Sequence, residues 1–150
     1  MRKSLFGLIL FSTSMSFAQA DEVVLADTVK FIVNEVKSLE SLNYGQNIYR
    51  PNFEDCNLEY ERSFSDDTQW LVYDFWLSDL DESKMRLDSV EGEWQLKLVS
   101  SRKKIEFDAT RGSGWVSEMH FYSKEKEPIL AIGKALYFAI KSCKGLDRFK

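Results

Sequence analysis

His120 is the only histidine of this 150-residue chain, and it is the first place to look for chemistry. A histidine base needs a nucleophile within hydrogen-bond reach and a third group to orient the imidazole. No G-x-S-x-G elbow accompanies His120, and its neighbours Met119 and Phe121 are apolar. In a strand those two side chains turn inward, so His120 turns toward solvent. Zinc needs cysteine or carboxylate partners at ligand spacing, and none stands near it. The run Asp79-Leu80-Asp81-Glu82-Ser83 resembles the first half of a calcium loop. The sixth position, however, is Lys84 where glycine makes the sharp turn, and the twelfth is Val90 where glutamate chelates. These acids read as a solvated connection. Glu54-Asp55 and Asp66-Asp67 are sequence neighbours, and neighbours on an extended chain point apart, so no glycosidase-type pair follows. Arg111-Gly112-Ser113-Gly114-Trp115 lacks the lysine and the strand-to-helix setting of a phosphate loop and reads as a turn. The expectation is therefore no catalytic set, no metal and no cofactor. The one enzyme reading left open uses His120 with carboxylates that folding brings near.

Cysteine chemistry points elsewhere. Residues 1–20 have the three parts of a cleavable secretory leader. Arg2 and Lys3 are the basic start, Leu5-Phe6-Gly7-Leu8-Ile9-Leu10-Phe11 the apolar stretch, and Ala18-Gln19-Ala20 the small-x-small cleavage site. The apolar stretch is far shorter than the roughly 20 residues that span a hydrocarbon core. The expected mature chain is a single domain over residues 21–150, delivered to the periplasm. In that oxidising compartment an isolated pair, Cys56 and Cys143, is expected to form a disulfide. Loss of Arg2 and Lys3 takes the formal net charge from −4 to −6. That balance argues against nucleic acid, which calls for a basic face.

The elements that position these residues follow from hydrophobic periodicity. Val29, Ile32, Val33, Val36 and Leu39 recur at helical spacing and predict an amphipathic helix over residues 21–42. Residues 46–55, with Pro51, read as a connection. Cys56, Leu58, Tyr60 and Phe64 then alternate with polar residues as a half-buried strand, and Ser65-Asp66-Asp67-Thr68 is its turn. Residues 69–77 are apolar on both sides: Leu71, Tyr73, Phe75 and Leu77 face one way, Trp70, Val72 and Trp76 the other. Four further strands are predicted at 85–90, 94–99, 105–109 and 116–122. Glu91-Gly92 is a tight turn between the first two, and residues 111–114 turn into the last. The inward set is Met85, Leu87, Trp94, Leu96, Leu98, Ile105, Phe107, Met119 and Phe121. Pro128 suits the first turn of a final helix, whose apolar face is Ile129, Ile132, Gly133, Leu136, Ile140 and Cys143, with Gly145 as its stop.

The predicted class is α+β: an N-terminal helix, a six-stranded antiparallel meander and a C-terminal helix, stapled by one disulfide. Such a meander either curls toward a pleckstrin-homology-like barrel or stays flatter with both helices on one face. Trp70, Val72, Trp76 and Trp115 are the residues that periodicity does not send inward, and they form the candidate binding surface. Either this face is open to a partner or the N-terminal helix covers it.

The layout Asn52-Phe53-Glu54-Asp55-Cys56-Asn57-Leu58, then Leu77-Ser78-Asp79-Leu80-Asp81, then Ser142-Cys143-Lys144-Gly145 resembles a pattern in small bacterial exported proteins with no assigned activity. The resemblance spans most of the mature chain and implies the Cys56–Cys143 bridge and the fold outline. It brings no catalytic residue with it. The functional expectation is a periplasmic, non-enzymatic module that binds another protein or an envelope component, such as an immunity protein neutralising an envelope-targeting effector. A carrier of a small apolar ligand or lipid, held among Trp70, Val72 and Trp76, is the alternative, and an enzyme of unrecognised type the third.

Overall fold

The structure is a computed structural model and describes residues 13–39, 48–54, 56–63 and 70–147. Among these residues, two α-helices and eight strands follow in the order α1 (Thr13–Ser38), β1 (Ile48–Glu54), β2 (Asn57–Ser63), β3 (Trp70–Trp76), β4 (Arg86–Val90), β5 (Glu93–Val99), β6 (Ile105–Ala109), β7 (Gly112–Val116), β8 (Glu118–Ser123) and α2 (Lys126–Asp147). The α+β class and the single bridge are as expected. The single six-stranded meander is not what forms. The strands divide into an antiparallel five-stranded sheet, β1-β2-β3-β6-β7, and a three-stranded sheet, β4-β5-β8.

The division has a local cause. β5 pairs with β8 up to Val99↔Glu118, and β6 pairs with β7 from Ile105↔Val116. Residues 100–104 on one arm of this long hairpin therefore face Ser117 alone on the other. Such an insertion bends the strand pair sharply and re-aims everything beyond it. Ser100 holds the bend: it is buried, its amide donates to the Ser117 carbonyl at 2.8 Å, and its hydroxyl donates to the Arg102 carbonyl. The chain leaving β3 is stitched to the same point. Leu80 bridges to Ser100, and the Asp81 amide donates to the Val99 carbonyl at 2.8 Å. One half of the hairpin thus joins β3, and the other joins β4.

Several boundaries differ from the sequence expectation for identifiable reasons. Residues 48–54 form an edge strand rather than a connection, and Pro51 is tolerated there because an edge strand has a free side. Residues 112–114, expected within a turn at 111–114, instead open β7, and the strand expected over 116–122 is divided at Ser117 between β7 and β8; the turn itself is Thr110-Arg111, fixed by the Ala109↔Gly112 register. Gly114 lies beneath Phe107, and a Cβ there would stand 3.1 Å from that ring. The helix expected over 21–42 runs from Thr13 to Ser38, through Ala18-Gln19-Ala20. Gly145 lies within α2 and does not stop it. Glu91-Gly92 is the expected tight turn, with the positive φ angles, 53° and 87°, that such hairpins favour. Phe64 and Ser65-Asp66-Asp67-Thr68 lie outside the described residues.

The core lies between the inner sheet faces and the helices. Leu58, Tyr60, Phe75, Leu98, Met119 and Phe121 meet Ile129, Ile132, Leu136 and Ile140 of α2, Ile32 and Val36 of α1, and Leu39 just past its end. Tyr60 stacks on Tyr73 at 5.2 Å and tilts against Phe121 at 4.9 Å. Each fully buried side chain of this size contributes about 1.5–3 kcal/mol. α1 packs on α2 and β1, and α2 packs on β5, β8 and the turn at Leu77–Asp79. Among the described residues no helix is long and apolar enough to cross a membrane.

Cys56 and Cys143 are bonded. Cys56 occupies the β1–β2 turn with a φ of +68°, a left-handed conformation that costs an L-residue about 1 kcal/mol. Its carbonyl accepts from the Leu77 amide at 2.8 Å. The bridge therefore fastens the tip of the first hairpin to the end of α2, across a sequence separation of 87. Chain-entropy reasoning gives such a closure about 4–5 kcal/mol, more than any exposed ion pair supplies. Cys56→Ala with Cys143→Ala is expected to destabilise the protein by about that amount in urea unfolding; a loss under about 1 kcal/mol would contradict it.

Candidate functional site

Alternation along a strand and register between strands decide which side chains share a face. With Tyr60, Tyr73 and Phe75 turned to the core, the opposite face of the five-stranded sheet carries Asn57, Glu59 and Glu61 from β2, and Trp70, Val72, Asp74 and Trp76 from β3. Glu106 and Asp108 of β6 and Ser113 and Trp115 of β7 complete it. One row across the strands reads Glu59, Asp74, Glu106, Trp115. The next reads Glu61, Val72, Asp108, Ser113. On the edge strand, Arg50 is in register with Glu61 and Asn52 with Glu59.

This face is open. Trp70, Trp76 and Trp115 retain 38%, 47% and 53% of their accessible surface, and Val72 is half-buried. α1 does not cover them, because it lies against α2 and β1. The four residues singled out from sequence are thus brought to one surface, Trp115 from a different strand than the other three. The cavities described, at α2 against the three-stranded sheet and beside Pro128, are not lined by these four residues. The carboxylates around them were missed, although the alternation of Glu59 and Glu61 with Leu58 and Tyr60 could have shown that they share a face.

The arrangement is electrostatically unfavourable for the isolated sheet. Asp74 stands directly opposite Glu59 on one side and Glu106 on the other. Like charges at cross-strand positions destabilise. Asn57 Nδ2 donates to Asp74 Oδ1 at 2.6 Å, which fixes one carboxylate without neutralising it. Chemically the face offers fixed negative charge between indole rings, a combination that attracts lysine ammonium and arginine guanidinium groups.

The other candidates resolve into structure. Asp81 Oδ1 accepts from the Ser83 amide at 3.1 Å and from its hydroxyl at 2.6 Å, capping a short 3-10 turn at Glu82–Lys84. Lys84 pairs with Asp81 at 3.0 Å. The hydrogen bonds from Ser83 and Lys84 hold the Asp81 carboxyl below its ordinary range. Glu82 pairs with Lys144 of α2, which lowers its carboxyl likewise. Among the described residues no three His, Cys, Asp or Glu side chains converge as metal ligands. Glu54 is exposed beside the β1–β2 turn, while Asp55, Asp66 and Asp67 lie outside the described residues.

His120 sits on the outer face of the three-stranded sheet, in register with Lys97 and 6.1 Å from the Tyr122 ring. It lies on the solvent side of the sheet as expected, but is half-buried there. Burial pushes its pKa below the ordinary histidine value; Glu118 opposes that shift and Lys97 reinforces it. Lys97 and Glu118 are themselves an ion pair.

The chain matches no protein family, and no curated protein or solved structure is significantly similar to it.

A lowered folded-state pKa at His120 means that the unfolded chain binds more protons between that value and about 6.5. Stability is then complete above about 6.5 and declines as pH falls below it. His120→Gln is expected to flatten the decline in Tm between neutral and mildly acidic pH, and an unchanged slope would refute this origin.

Proposed function

We propose that this chain is an exported, periplasmic, non-enzymatic module that binds another protein through the tryptophan–carboxylate face. The partner surface is cationic. The observation that carries this reading is the placement of three exposed indoles, Trp70, Trp76 and Trp115, around the row Glu59, Asp74, Glu106 on a sheet face that neither described helix covers. Exposed tryptophans are over-represented among the residues that dominate binding energy. A basic partner would also relieve the repulsion that the sheet carries alone. The same charge argues against a nucleic-acid backbone as ligand.

Export rests on the leader features of residues 1–20, and a disulfide between Cys56 and Cys143 suits an oxidising compartment. The core contacts described for α1 and the residue past its end, Leu25, Ile32, Val36 and Leu39, all follow Ala20, so cleavage there would leave them in place. A small, rigid, acidic module with an exposed docking face is suited to block a toxic basic effector in the envelope, as an immunity protein does. The small-ligand alternative gains a specific observation of its own, because a cavity of about 370 Å³ lies between α2 and the three-stranded sheet.

Immobilised mature protein is expected to retain a basic protein from periplasmic extract and release it as salt rises. Trp76→Ala with Trp115→Ala removes two exposed rings without touching the core and is expected to weaken retention more than tenfold, by about 2 kcal/mol or more. A partner held equally by the double variant, or indifferent to salt, would overturn the reading.

A further inference from the structure

Among the described residues the two sheets have four edges, and three of them are guarded. α1 packs on β1, which also carries Pro51. β4 presents the exposed charges of Arg86 and Asp88. The free edge of β8 is met by Tyr60, whose hydroxyl donates to the His120 carbonyl at 3.4 Å. Such devices keep unpaired strand groups from recruiting another chain. β7 has none of them among the described residues. It reads Gly-Ser-Gly-Trp-Val, without charge or proline, and its one strand neighbour there is β6.

The groups that β7 leaves open follow from the ladder. The Thr110 amide donates to the Trp70 carbonyl at 3.3 Å, so Thr110, and by alternation Asp108 and Glu106, direct their backbone groups toward β3. Ile105, Phe107 and Ala109 therefore bond to Val116, Gly114 and Gly112 of β7. The amide and carbonyl groups of Ser113 and Trp115 are left on the open side. Both side chains are exposed on the tryptophan–carboxylate face, Ser113 in register with Asp108 and Trp115 with Glu106. Neither carboxylate has an ion pair among the described residues. Gly114 turns to the other face beneath the half-buried Phe107 ring, 3.1 Å from where its Cβ would stand.

We propose that the cationic partner docks by adding an extended basic–apolar–basic segment to β7 as an antiparallel strand. This rests on the reading of the tryptophan–carboxylate face as a docking surface for a basic protein, and it specifies how that protein engages the face. Residues opposite Ser113 and Trp115 exchange both backbone hydrogen bonds with them and project onto the outer face. A lysine or arginine opposite Trp115 lies across the indole toward Glu106. One opposite Ser113 passes over a small side chain toward Asp108, two strand spacings or about 10 Å away. The residue between them turns inward, where an apolar side chain covers Phe107 above Gly114. Charge selects this occupant over a second copy of the chain. β7 against β7 would set Glu106 and Asp108 of both copies on one face without a cation, and would join two chains of net charge −4.

The test is calorimetric titration of the mature protein with acetyl-Lys-Val-Lys-Val-Lys-amide, which is expected to bind saturably. Methylating the lysine backbone nitrogens, which face β7, is expected to weaken the peptide at least tenfold. Methylating the valine nitrogens, which face away, is expected to leave its affinity nearly unchanged, and glutamate in place of lysine to abolish binding. Ser113→Pro removes an outward amide and no bond within the sheet. It is expected to weaken the peptide at least tenfold with an unaltered circular dichroism spectrum, and the methylated peptides probe the same ladder on the unaltered protein. Absence of saturable binding, or equal effects of methylation at lysine and valine nitrogens, would overturn strand addition. A dimer that Ser113→Pro dissociates would overturn it too, by making this edge a contact between copies. Retention of a basic protein, weakened by Trp76→Ala with Trp115→Ala, tests the face itself, so strand addition can fail while that reading stands.

Discussion

The molecule turns on one register change. Five residues, 100–104, stand opposite Ser117 in a hairpin that would otherwise run straight from Glu93 to Ser123. The Ser100 side chain and amide, the Ser117 carbonyl and the strand exit at Leu80 lock that mismatch in place. A continuous register would have placed β3 and β4 on one sheet with one outer face. The bend instead hands each strand to a different sheet, so the inner faces close on a shared core. Both helices pack on that core, leaving the outer face of the larger sheet bare and β4 beside a groove.

Energetically the described contacts fall into unequal groups. The buried aliphatic and aromatic cluster and the Cys56–Cys143 closure supply most of the stabilisation. The exposed pairs Lys84–Asp81 and Lys30–Asp27 are screened by solvent and add little. Against these stands a row of like charges, Glu59, Asp74 and Glu106, whose one described contact within the fold is the Asn57–Asp74 hydrogen bond. Features that oppose stability without a structural role are where function is to be sought. These opposed charges, more than the tryptophans alone, direct attention to this face.

Much of this was legible in residue order. The period of two in β3 separates Leu71, Tyr73 and Phe75 from Trp70, Val72 and Trp76, and the structure keeps that separation. The apolar stripe of α2, the Glu91-Gly92 turn and β6 at Ile105–Ala109 were equally readable, because each depends on near neighbours. The rest depends on distant pairing. β1 was hidden by Pro51, which only an edge position permits, and β7 by Gly112 and Gly114, whose missing side chain at 114 makes room for Phe107 on the next strand. The division into two sheets follows from a mismatch between arms of one hairpin, which no local pattern reports. The groove follows from where α2 comes to rest, and its lining residues come from stretches far apart in sequence.

The central claim is that the indoles of the larger sheet are open to solvent within a negative field. Fluorescence quenching measures both properties at once in a chain with Trp70→Phe and Trp94→Phe, which keeps Trp76 and Trp115. Caesium is expected to quench more strongly than iodide at low ionic strength, and the difference should collapse as salt screens the carboxylates. Emission that neither ion reaches, or iodide quenching equal to or above that of caesium at low salt, would contradict the account.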